Sequence, residues 1–432
     1  MSNVQESINY DLVIVGAGAA GLYAAAHLAL SLSGLESKKR VLLVEQKKET
    51  GKKLLLTGSG QCNLTNSKNI RDFVPCYGEN GSKIRSVLYA HNNIDTMSFF
   101  KSQGLPLWVR EDAKVFPETL NAKDVRGLLL RLCQSHGVEI WTQSKLIDVE
   151  PENQGFGVCL EMLAGGVSKK RSLCSRFLLL CCGGASYPAT GSDGSVFSIL
   201  KNLGVKQIPL KPALVPIVVD FYPYRNLAGV AIQQVRLKIG VGKRSKSVLG
   251  PLLFAHQFFS GPAILSLSRY VEKGDRFSVD YLPESSEEAL FLEIQKEANG
   301  SQKQVDTFLS QCPSIQRGGL AKRLITVLCE RLELKPTAKA SSLSVKTIKA
   351  LAKLLKADSF VVVGTKGWHL AMVSAGGVSL DEVDVKTMSS KKYPQLFFAG
   401  EMLDVDGDTG GYNLQFAFSS AKRAVEAIVS KI

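Results

Sequence analysis

The sequence predicts an α/β fold. A parallel-sheet unit opens the chain, and a β domain with a small helical subdomain follows it. Two observations carry this expectation. Residues 11–45 read as strand, glycine-rich turn, helix and strand; and the later stretch changes from alternating to helical periodicity near residue 284. At 432 residues the chain can bury a sizeable core and divide into two or three domains.

The first element is "DLVIV", a continuously apolar strand of the kind covered on both faces. Gly16, Gly18 and Gly21 follow in G-x-G-x-x-G spacing, and Ala19 and Ala20 open an alanine-rich helix. The first glycine permits a tight turn, the second lets a pyrophosphate approach the backbone, and the third lets helix and strand pack closely. The phosphates would rest on the helix N-terminus, where free N–H groups and the dipole favour anions. "RVLLVEQ" is the second strand; Glu45 at its end, with Gln46 beside it, suits ribose hydroxyls. The unit is therefore a Rossmann-type dinucleotide site. FAD is favoured over NAD as its resident because "KKETGKKLLLTGSGQCNLTN" is a long loop, with Lys53, Cys62 and Asn63, where a simple dehydrogenase enters its next helix.

Next, "EIWTQSKLIDVE", "GFGVCLEM" and "RSLCSRFLLLCCGG" suggest an antiparallel crossover that feeds a buried strand ending at Gly183 and Gly184. Strand-like runs follow to about Leu282. "SSEEALFLEIQKEA", "QVDTFLSQ", "GGLAKRLITVLCERLEL" and "SVKTIKALAKLLKA" then read as helices, with Ser341 and Ser344 as N-cap positions for the last. The expected boundaries are 1–207 for the first part of the FAD domain, 208–283 for the β domain, 284–357 for the helical subdomain, 358–375 for return strands of the inserted domain, and 376–432 for the second part of the FAD domain.

The C-terminal stretch "FFAGEMLDVDGDTGGYNLQFAFSSAKRA" tempts a calcium reading, because Asp404, Asp406 and Asp408 alternate. An EF-hand loop needs Gly at position 6 and Glu at position 12; here Thr409 and Gln415 stand there, so no metal is expected. The nine cysteines show neither disulfide nor zinc spacing, which suits reduced thiols in a cytoplasmic protein. No apolar run approaches the ~20 residues of a membrane-spanning helix, and the first ten residues lack the apolar region of a signal peptide. The net charge is +14, with basic clusters at Lys38, Ser168, Gly242, Arg317 and Ser389. A polyanionic partner such as RNA and a solvated lysine-rich surface both account for it.

"GKKLLLTGSGQCNLTN", "GGASYPATGSDG", "PALVPI", "LLFAHQFFSGPAIL" and the block from "AMVSAGGV" to "LQFAFSSA" resemble, in order, the signatures of the BaiN/RdsA-type NAD(P)/FAD-dependent oxidoreductases, also described as aminoacetone-oxidase-like flavoproteins. The resemblance spans nearly the whole chain. It implies a discontinuous Rossmann FAD domain of the two-dinucleotide-binding-domain flavoprotein type. It makes the C-terminal block the second FAD segment, with Gly183, Gly400, Glu401, Asp404, Gly411, Asn413, Leu414 and Gln415 as cofactor residues. Asp404 is the strongest candidate among the three aspartates. The chain departs from the family pattern at Gln61, where Arg is usual, and at Phe258, where Gly is usual.

The resemblance implies a flavin oxidoreductase that takes electrons from NAD(P)H and reduces a carbon–carbon double bond conjugated to a carbonyl. The substrate would be uridine in ribosomal RNA or an unsaturated 3-oxo steroid; the charge favours RNA, while a small-molecule substrate stays open. Hydride would reach the β-carbon and an acid would protonate the α-carbon. Cys62 is either that acid or a small packed thiol; His256 is either an acid/base group or a structural histidine. An amine or aminoketone oxidase, and a non-enzymatic flavin-loaded RNA-binding module, are the competing readings. No second G-x-G-x-x-G unit offers itself to NAD(P)H.

Overall fold

A computed structural model describes residues 8–33, 39–164, 166–240 and 245–432. Residues 1–7, which include most of the polar N-terminus read above, lie outside the described residues, as do Lys38 and residues 242–244 of two basic clusters. The chain forms two compact units: Met1–Pro212 with Met372–Ile432, and Ala213–Ala371. The sequence boundaries were drawn at 207/208 and 375/376. Between those positions and the observed ones runs a two-stranded ribbon, Gln207–Ala213 beside Val373–Val378, whose pairing partners are far apart in sequence.

In the first unit five strands pair in parallel, in the order Leu396–Phe398, Val167–Leu180, Ile8–Val15, Val41–Val44, Glu139–Trp141. Their apolar runs are continuous because both faces are covered: all four residues of Val41–Val44 are buried, and Leu12, Val13 and Ile14 have no exposure. The strand Val167–Leu180 does two jobs. Its first half pairs antiparallel with Gly155–Ala164, and its apolar second half enters the parallel sheet. The strands finish level, with Val15 opposite both Val44 and Leu180, and Leu180 opposite Phe398.

The first helix, Ala19–Leu32, is buried almost all round through Ala20, Tyr23, Ala24, Ala25 and Leu28, and it packs against the C-terminal helix Tyr412–Val429. Alanines let these helices approach closely, and each fully buried leucine contributes about 1.5–3 kcal/mol.

The second unit is a closed six-stranded antiparallel barrel in the order Ile217–Val219, Phe259–Ser260, Lys246–Phe254, Ala231–Ile239, Arg276–Asp280, Asp358–Thr365. Helices Glu287–Ala298, Val305–Gln311, Pro313–Arg317, Lys322–Arg331 and Val345–Lys356 complete it around a separate core. Ser344 caps the last helix, accepting from Thr347 N at 3.1 Å, while Ser341 lies in the short turn Ala340–Ser342. Fully buried Asp358 ties barrel to helices: it pairs with Arg331 and accepts from Tyr224 and, at 2.8 Å, from Tyr281. Among the described residues no helix is long and apolar enough to cross a membrane.

Candidate active site

The first unit holds a cavity at the carboxyl ends of four parallel strands, where open α/β sheets bind ligands. Val15 and Gly16, Val44 and Glu45, Cys181 and Cys182, and Ala399 and Gly400 form its floor. The glycine motif sits on its edge. Gly16 has φ +97°, and a Cβ there would meet Cys181 O at 2.5 Å. A Cβ on Gly21 would lie 1.8 Å from Gly16 O, so turn and helix touch. At Gly18 nothing lies within 4 Å of an added Cβ: the second glycine faces open space, as room for a phosphate demands.

Two helices start at this cavity. The first begins after Gly18 and brings Ala19 and Ala20; the C-terminal helix begins after Gly411 and brings Asn413 and Leu414. Neither has a side-chain cap or an acid in its first turn. Their first N–H groups and dipoles are left for a ligand with negative charge or carbonyl oxygens.

Glu45 is buried and accepts from Ala17 N at 3.1 Å and Lys47 N at 2.9 Å. Burial raises its pKa, and those backbone bonds partly offset the rise. Gln46 lines the cavity while its amide donates to Gly191 O. Nearby, the Ser192 hydroxyl is buried with no partner among the described residues, and Ser192 lines the same cavity. An orphaned hydroxyl, an acid at the second strand's end and two uncapped helices fit the hydroxyl-rich, phosphate-bearing body of FAD.

At the other side Lys53 and Glu401 form an ion pair at 2.5 Å. Ser186 Oγ donates to Glu401 at 2.7 Å, and Ser374 N donates to it at 2.8 Å. Lys53 also donates to Ser186. Four segments thus converge on one carboxylate, which holds the cation at the cavity wall.

Other expected residues support the site without lining it. Gln415 is fully buried, and its amide is spent on Thr65, Thr96, Ser419 and His91 O. Asn63, with its amide oriented to satisfy both ends, donates to Thr65 O and accepts from Gly411 N. Asp404 faces Asn80, which donates to its carboxylate at 3.1 Å and its carbonyl at 2.7 Å. The contacts of Asn63 with Gly411, Gln415 with Thr65 and Asp404 with Asn80 join segments far apart in the chain. Gly183 lines the cavity as expected. Cys62 has no exposure, and burial pushes its thiol up to about 12, which favours the packed-thiol reading. His256 is exposed on the turn between Lys246–Phe254 and Phe259–Ser260 of the second unit. Of the two departures, Gln61 closes the turn Leu54–Gly60, and Phe258 lies 5.1 Å from Lys366 Nζ. Sequence reading passed over Ser186, Ser192 and Ser374; the glycine-flanked "GGASYPATGSDG" signalled the first two, and nothing local signals Ser374.

The profile of the HI0933-like protein Rossmann domain matches residues 10–427. The chain is 29% identical over 432 residues to the ribosomal RNA dihydrouridine synthase of Escherichia coli, covering 98% of each. It is 31% identical over 430 residues to the 3-dehydro-bile acid delta(4,6)-reductase of Clostridium scindens, covering 97% of this chain and 98% of the other. Among solved structures, 3-ketosteroid-delta4-(5alpha)-dehydrogenase from Rhodococcus jostii shares the fold, with a TM-score of 0.51 at 13% identity over 99% of this chain and 98% of that one.

Proposed function

The chain belongs to the HI0933-like Rossmann family and is an FAD-dependent oxidoreductase; from that premise we propose that it uses NAD(P)H to reduce uridine in ribosomal RNA to dihydrouridine. The observation that carries the choice of substrate is the net charge of +14. A polyanion needs lysines and arginines for its phosphates, whereas a steroid does not. The relative from Escherichia coli, named for this reaction, supports the reading. A second reading, reduction of a small unsaturated 3-oxo steroid, draws on the bile-acid reductase at 31% identity.

FAD, when bound, would supply the hydride to the β-carbon. The first helix and Glu45 would hold its pyrophosphate and ribose. The start of the C-terminal helix and Lys53, fixed by Glu401, would stabilise negative charge at the other end of the cavity. The α-carbon needs a proton. A fully buried thiol raised to about 12 is a poor source of it. Cytoplasmic location accompanies the RNA reading.

Deleting the gene and mapping ribosomal RNA by mass spectrometry tests the proposal. Loss of a two-hydrogen mass gain on one uridine, restored by the wild-type gene, is expected. An unchanged map in an organism that carries the modification would overturn it and make unsaturated ketones the substrates to assay.

A further inference from the structure

The positive charge is unevenly divided. Ala213–Ala371 carries 22 lysines and arginines against 13 acids, while the larger first unit carries 31 against 26. Within the second unit the excess gathers late. Lys303, Lys335, Lys339, Lys346, Lys349 and Lys353 are all exposed, while the exposed acids between residues 303 and 353 are Glu330 and Glu333. An antiparallel bridge between Gln304 and Lys339, with Ala340 N on Lys303 O at 2.9 Å, brings the first of these lysines beside the turn that leads into the helix Val345–Lys356.

That helix, "VKTIKALAKLLK", contains no acid. Ile348, Leu351, Ala352 and Leu355 are its buried face. Lys346, Lys349 and Lys353 recur at i, i+3 and i+7 on the other, about 4.5 and 6 Å apart along the axis. Among the described residues none of the three forms an ion pair, although the helix packed beside it, Glu287–Ala298, holds four glutamates. Helix stability does not account for this arrangement. Like charges three and four residues apart repel, and Lys346 sits in the first turn, where the dipole opposes a cation. Only Lys353, in the last turn, is favoured by the dipole; a face that carries all three suits a partner that brings the missing negative charge.

We propose that this lysine-bearing face of the helical subdomain docks the sugar–phosphate backbone of an RNA strand. The proposal rests on the RNA reading of the substrate given above. The test is the full chain, FAD-loaded, with Lys346→Glu, Lys349→Glu and Lys353→Glu combined. All three side chains are exposed, so the fold should survive, and an unchanged flavin spectrum and reduction by NAD(P)H check that it does. Binding of a fluorescent single-stranded oligouridylate is measured across a range of salt concentrations. Loss of three phosphate contacts should weaken binding at least about tenfold and lower the slope of log K against log salt by about two.

A variant that binds with wild-type affinity and slope would overturn the surface and leave the substrate reading standing. A wild-type protein with no salt-dependent affinity for the oligouridylate would overturn both. Lysine-dependent binding to phosphatidylglycerol vesicles without RNA binding would assign the face to an anionic membrane and overturn the proposal.

Discussion

Two helices of the second unit and the two helices at the cavity begin differently. In the second unit, Glu287–Ala298 and Val345–Lys356 start on Ser286 and Ser344, whose hydroxyls accept N–H groups of Ala289 and Thr347. In the first unit, the helices at the cavity start on Gly18 and Gly411 and have no side-chain cap. A serine cap contributes about 1 kcal/mol, so its absence twice at one cavity marks donors kept for a ligand. Protein groups finish the helices of the serine-capped pair, and at the cavity the N–H groups are left for the bound molecule.

The largest effect should come from breaking the turn. Gly16→Ala puts a side chain at φ +97° and 2.5 Å from Cys181 O; the purified variant should be colourless and stay so after FAD is added. In the second unit, Asp358→Ala leaves Arg331 without its carboxylate partner and should cost about 3–5 kcal/mol in denaturant unfolding. Gly18→Asp sharpens the comparison most. It supplies the absent cap in open space, so thermal stability without FAD should hold or rise, while FAD affinity falls at least about a hundredfold through repulsion of phosphate. Ser344→Ala is its counterpart: a loss of about 1 kcal/mol with flavin content unchanged.

The smallest effect is one of pH, and it separates the units again. In the first unit His27 is half-buried and His91 buried, and desolvation lowers them to about 3 and about 4. The native state binds fewer protons than the unfolded chain below the ordinary histidine value, so stability is present above about 6.5 and is lost as pH falls toward 4. His256 and His369, the histidines of the second unit, are exposed. Unfolding curves at several pH values should show the acid loss, and His27→Phe should flatten it; an unchanged slope would remove His27 from the account.

How much could be read in advance follows from sequence distance. The strand, Gly16, Gly18, Gly21 and Glu45 lie within a few dozen residues, and their chemistry is written in local spacing. The inserted β domain and its helices showed through periodicity and Ser344 showed as a cap, while closure of the strands into a barrel rests on long-range pairing and did not. The carboxylate cluster did not, because Glu401 meets Lys53, Ser186 and Ser374 from separate parts of the chain. Gln415 and Asn63 are expected cofactor residues; the packed structure adds what local sequence does not carry, that their amides also join Thr65, Thr96 and Gly411.

The split of the first unit also bears on biosynthesis. Leu396–Phe398 joins the parallel sheet beside Leu178–Leu180 only after the roughly 160 residues of Ala213–Ala371 have left the ribosome, a delay of about 10–30 s at common elongation rates. The contiguous barrel unit can fold during that interval. The nascent sheet waits with the edge of its apolar strand unpaired, and cofactor capture is deferred until the last helix emerges. Premature termination before Leu396 would therefore release a chain with a finished barrel and an open, aggregation-prone sheet edge.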